Sequence, residues 1–142
     1  QGMSEDNMRR ILAEPYVMIG SDASVRTPTG VLGQDHPHPR SYGTFPRFLR
    51  MALDGGSVSL TEAVRKMTSL PAGHFRLTDR GEVAVGRYAD ITVFDPARIR
   101  DRATYGQPHQ YSEGVTAVVV NGALTLKSDG LTGRRAGRLL AG

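Results

Sequence analysis

The sequence contains no cysteine and no tryptophan, and only 6% of its residues are aromatic. Without cysteine there are no disulfides and no thiolate metal ligands, and the redox compartment is left open. The cytoplasm is then the default expectation. No apolar stretch approaches the length of a membrane span and no signal-peptide pattern opens the chain, so no membrane partner is expected. A basic stripe is also missing. The net charge is +4, but the arginines are scattered and interleaved with few aromatics, which argues against a nucleic-acid partner. The one dense group, Arg134, Arg135 and Arg138 near a glycine-rich end, reads as a solvated tail. Gln1-Gly2 reads as the remnant of a cleavable tag and is set aside.

What is present has the composition of a soluble globular protein: 142 residues, 39% hydrophobic and 23% charged, enough for one domain or a piece of a larger one. The stretch Tyr16-Val17-Met18-Ile19-Gly20-Ser21-Asp22 organises the first half. Four bulky residues run without alternation and polarity then switches at Gly20, the pattern of a strand buried on both faces of a parallel sheet. The polar end would be the carboxyl end of that strand, where α/β barrels place their chemistry. Asp22 therefore points into a site; the alternative is that Ser21 and Asp22 start a turn or cap a helix.

Helices flank this stretch. Ser4 caps a predicted helix with Glu5 and Asp6 in its first turn and a face of Met8, Ile11 and Leu12, which Pro15 ends. Residues 23–42 form a long connection rich in Pro, Gly, Thr and His, a length that favours a functional loop. Within it, His36-Pro37-His38-Pro39-Arg40 offers two histidines as a metal pair or, more in keeping with a proline-stiffened loop, His38 and Arg40 as substrate contacts.

Thr44 caps a second predicted helix that buries Phe45, Phe48, Leu49, Ala52 and Leu53 and stops at Gly55-Gly56. The capping box Ser59-x-x-Glu62 opens a third, burying Leu60, Ala63, Val64 and Met67. Pro71 starts a short helical turn holding His74 as a packed or capping residue.

Beyond Asp79 the period changes. Gly81 to Gly86 alternates, Ala89 to Pro96 reads as a strand, and Val115 to Val120 pairs with Ala123 to Lys127 across Asn121-Gly122. The expected fold is an α+β fragment in two parts, α/β over residues 3–78 and β over residues 79–142, with no internal repeat.

The second part carries a resemblance. Gly81-x-Val83-x-x-Gly86-x-x-Ala89-Asp90-Ile91-x-Val93-x-Asp95, then Val118-x-Val120-Asn121-Gly122, resembles the C-terminal region of amidohydrolase-superfamily enzymes. Gly20-Ser21-Asp22, His38-Pro39-Arg40-x-Tyr42-Gly43-Thr44-Phe45-Pro46-Arg47, Thr68-x-x-Pro71-Ala72 and Leu131-Thr132-Gly133-Arg134-x-x-Gly137-Arg138 are similar to the N-acyl-D-amino-acid deacylases, or D-aminoacylases, within it.

That resemblance implies a zinc-dependent (β/α) barrel with a small β-sandwich built from both chain ends. Residues 3–78 would be the C-terminal piece of the barrel, Tyr16 to Asp22 its last strand, and residues 79–142 a segment of the sandwich. Asp22 would be the catalytic carboxylate, taking a proton from the zinc-bound water and passing it to the leaving nitrogen. The family's His-x-His pair and later strand-end histidines have no counterpart here. Asp22 would thus be a weak zinc ligand, needing others from the missing part of the barrel, and this chain alone is expected to bind no zinc and to be inactive.

The expected substrate is an N-acyl-D-amino acid, and the expected partner is the remainder of the barrel. The alternatives are another amidohydrolase, acting on cyclic amides, ureides or dipeptides, and a non-catalytic folding or assembly module that self-associates through open strand edges.

Overall fold

The structure is a computed structural model that describes residues 4–140, so Gln1-Gly2 lie outside it. It is a mixed assembly of helices and one antiparallel sheet. Helix α1 (Glu5–Ala13) begins as expected, with Ser4 Oγ accepting the Asn7 N–H, and it places Glu5 and Asp6 at its positive end. Leu12 packs inward, whereas Ile11 is exposed, so the apolar face is narrower than expected.

Residues 17–22 form no strand ladder. The expected strand is therefore not observed. A strand exists through its neighbours, and among the described residues no neighbour pairs with this stretch. Its one tie of ladder type is Ile19 N–H donating to Lys66 O at 3.2 Å.

Helix α2 (Arg40–Leu53) starts four residues before the expected Thr44 cap. Thr44 lies inside it, its hydroxyl donating to Arg40 O at 2.9 Å. Pro46 also lies inside and has no N–H for the Tyr42 carbonyl one turn back. Ser112 Oγ fills that vacancy, donating to Tyr42 O at 2.9 Å. The helix ends in a Schellman motif: Gly55 has φ +78°, Gly56 N–H donates to Met51 O, and Gly55 N–H donates to Ala52 O.

Helix α3 (Leu60–Met67) has the expected cap, Ser59 Oγ accepting the Glu62 N–H at 3.2 Å. Its buried face differs from expectation, because Val64 is exposed and Lys66 is fully buried. Helix α4 (Ser69–His74) follows; His74 is exposed and stands edge-on to Phe75, neither packed in the core nor capping. The helical core is Phe48, Ala52, Val58 and Ala63, with Leu12, Ile19 and Met67 against it.

The sheet is a meander in the order β1 (Ile91–Phe94), β2 (Val115–Val120), β3 (Ala123–Lys127) and β4 (Gly130–Leu131). Gly81 to Gly86 forms no strand, and Val83 and Val85 are bare to solvent. The Asn121-Gly122 turn has φ of 47° and 80°, the two positive values of a type I′ hairpin. The helices meet the connection between β1 and β2 where Gly43 of α2 faces Asp101; a Cβ there would sit 2.8 Å from the Asp101 Cβ. Arg50 also donates to Pro96 O at 2.9 Å.

Candidate active site

The two-sided loop that follows Ile19 brings three of the expected residues together. Asp22 sits at φ +48° with its side chain 87% exposed. Arg40, at the first turn of α2, places Nη2 2.9 Å from Asp22 Oδ2. Aspartate is among the few residues besides glycine that enter this left-handed region readily.

His38 serves Arg40 rather than pointing into open space. Pro39, the residue at the N-cap of α2, has no capping side chain, so the first N–H groups of the helix need other acceptors. His38 Nδ1 accepts the Arg40 N–H at 3.1 Å, and His38 O accepts the Ser41 N–H at 3.0 Å. With Nδ1 accepting, the neutral ring carries its proton on Nε2, which donates to the Tyr105 hydroxyl at 3.0 Å. His36 Nε2 donates to the Tyr105 carbonyl at 2.7 Å. Both histidines of the expected metal pair are therefore engaged with Tyr105.

A second tie lies beside the first. Tyr42 donates its hydroxyl to His109 Nδ1 at 3.1 Å, and His109 Nε2 donates to Asp35 O at 2.6 Å. Arg26 pairs with the Asp35 carboxylate at 2.7 Å. Burial, followed by the neighbouring Tyr111, raises the Tyr42 hydroxyl above the usual phenol range, so it stays a neutral donor. No motif or spacing in the sequence marks Tyr105, His109, Arg26 or Asp35 as site residues. Tyr105 and His109 lie some seventy positions away in the chain, in a stretch with no periodicity to flag them.

Among the described residues, no group of three or more His, Cys, Asp or Glu side chains stands close enough to hold a metal ion. Asp22 is paired with the Arg40 cation, and His36 and His38 are engaged with Tyr105 and the Arg40 amide. These residues do not by themselves fit a zinc centre.

The amidohydrolase family is matched over residues 6–126. The chain belongs to the amidohydrolase family. It is similar to the D-aminoacylase of Alcaligenes xylosoxydans xylosoxydans, 44% identical over 140 residues, which cover 98% of this chain and 28% of that protein. A solved structure of D-aminoacylase, concerned with the functional role of its binuclear metal centre, matches with a TM-score of 0.86 at 45% identity, covering 96% of this chain and 28% of that one.

The N-acyl-D-glutamate deacylase of Bordetella bronchiseptica, solved with zinc and a phosphonate that mimics the tetrahedral intermediate, matches with a TM-score of 0.77 at 41% identity, over 87% of this chain and 25% of that one. This chain spans little more than a quarter of the length of these relatives. The relatives are metal-dependent hydrolases, and no helix among the described residues is long and apolar enough to cross a membrane.

Proposed function

We propose that this chain is the C-terminal region of an N-acyl-D-amino-acid deacylase, in which Asp22 is the residue that carries the proton. The observation that supports this most is Asp22 itself: an exposed carboxylate at the polar end of an apolar stretch, held by Arg40 and facing no packed neighbour. In the complete enzyme, Asp22 takes a proton from the water that attacks the acyl carbon. As the C–N bond breaks it delivers that proton to the nitrogen, leaving a carboxylate and a free D-amino acid. Ionised, it accepts; protonated, it donates.

Residues 3–78 would complete a (β/α) barrel and residues 79–142 would enter a small β-sandwich. Unpaired residues 17–22, bare Val83 and Val85, and the sheet-end positions of β1 and β4 fit surfaces meant to be covered by the rest of such an enzyme. Zinc would be held largely by ligands outside these residues. His38 would order the loop over the site, and Arg40 would bind the substrate carboxylate once it leaves Asp22. The cytoplasm is the proposed compartment.

The test is Asp22→Asn in the complete enzyme with an N-acetyl-D-amino acid, scored by free amine at matched zinc content. A fall in turnover of about 100-fold or more is expected. Unchanged turnover would remove Asp22 from the chemistry, and turnover of cyclic ureides alone would point to a different amidohydrolase.

A further inference from the structure

Lys66 is the one charged side chain on the buried face of α3, and its side chain is 0% exposed. A buried ammonium persists only when acceptors and a counter-charge stand around it. Lys66 has two carbonyl acceptors and one nearby carboxylate. Nζ donates to Glu14 O and, at 3.1 Å, to Val17 O, with the Glu62 carboxylate 3.8 Å away.

Two of these acceptors are backbone carbonyls of the turn that leads out of α1 toward Asp22. The same residue supplies a third tie through its main chain, since Lys66 O accepts the Ile19 N–H at 3.2 Å. Its neighbour Arg65, itself clamped by Glu62, donates to Pro15 O. The last turn of α3 therefore grips residues 14, 15, 17 and 19 along one line, and Ile19 is further held against the helical core. Asp22 lies three residues beyond the last of these grips. No strand partner fixes the segment among the described residues, so its course is set from α3.

We propose that Lys66 is a positioning residue for Asp22: it anchors the start of the segment whose end presents the carboxylate to the substrate. This rests on the reading of Asp22 as the proton carrier. A displacement of about 1 Å at a reacting group costs on the order of 100-fold in rate, so a loosened anchor is felt in turnover rather than in binding.

The variants are Lys66→Met, which keeps the length of the side chain and removes its donors, and Lys66→Arg, which restores donors. Both are made in the complete enzyme and compared at matched zinc content. For Lys66→Met, kcat is expected to fall about 100-fold with KM nearly unchanged, and Lys66→Arg to recover part of it. In the Lys66→Met background, adding Asp22→Asn should cost much less than it does alone, because the carboxylate is already misplaced.

A folded Lys66→Met enzyme with native kcat, while Asp22→Asn is inactive, would overturn the positioning role and leave Asp22 standing. Full activity of Asp22→Asn would overturn both. Should Lys66→Met fail to fold, the unsubstituted complete enzyme still decides. Its Lys66 ammonium protons and Ile19 amide should exchange slowly in nitrogen-15 NMR spectra; a freely exchanging ammonium would refute the anchor.

Discussion

Arg40 reaches across the whole 23–39 loop to Asp22, its guanidinium nitrogen 2.9 Å from the carboxylate. Both side chains are substantially exposed, so the pair adds little to stability, within about 1 kcal/mol. Under the proposed function, Arg40 is a cation parked on the carboxylate that a substrate carboxylate would draw away. Arg40→Met should leave the unfolding midpoint nearly unchanged while raising KM for an N-acyl-D-amino acid about tenfold or more in the complete enzyme. A loss confined to kcat would instead assign Arg40 to Asp22 alone.

Tyr105 joins two histidines of that loop through different atoms, its carbonyl and its hydroxyl. Tyr105→Phe removes only the second contact. The expected outcome is a stability loss of about 1 kcal/mol in denaturant unfolding, with faster amide exchange confined to residues 35–40. Exchange that quickens throughout α2 would show that the hydroxyl supports the helix rather than the loop.

Asn121 does more than shape a turn. Its amide nitrogen donates to Ala136 O at 2.6 Å and its backbone N–H donates to Asp90 Oδ1 at 2.7 Å. Asn121→Gly keeps the positive φ and the backbone contact but deletes the side-chain ones, to Ala136 O and from Arg80 Nη2. The β2–β3 hairpin should stay protected in hydrogen exchange while residues 132–140 lose protection. Equal loss in both would mean that the tail and the hairpin open as one unit.

Glu113 bridges Arg100 and Arg102 beside the isolated bridge that closes the 100–113 loop. Hydrogen bonding from Arg100, outweighing partial burial, holds its carboxyl below the usual carboxylate range. A group depressed on folding stabilises above its unfolded value and loses that contribution as pH falls through its folded value. The native chain should therefore unfold at a higher temperature than Glu113→Gln near neutral pH. The gap should close as pH drops below about 4, the ordinary glutamate range. A gap independent of pH would place the effect of Glu113 in packing rather than charge.

Local features were legible in the sequence because their physics is local. The Ser4 and Ser59 caps, the glycine stop after Leu53 and the Asn121-Gly122 hairpin each depend on residues within a turn of one another. The motifs around Gly81–Asp95 and His38–Arg47 were enough to indicate the amidohydrolase family, which the comparisons bear out.

What depended on distant partners was not legible. Tyr16–Asp22 has the composition of a buried strand, yet pairing is a property of neighbours, and among the described residues none flanks it. The start of α2 moved to Arg40 because His38 supplies the acceptor that Pro39 lacks, and Ser112 meets the carbonyl that Pro46 leaves free. Lys66, which periodicity alone would place at a helix surface, became a core residue because the carbonyls of Glu14 and Val17 come to it from another element. The sequence by itself determined the Ser4 and Ser59 caps, the Asn121-Gly122 turn and the family. Only the tertiary structure decided which polar groups meet, because a hydrogen bond between distant residues exists only once the chain has brought both ends together.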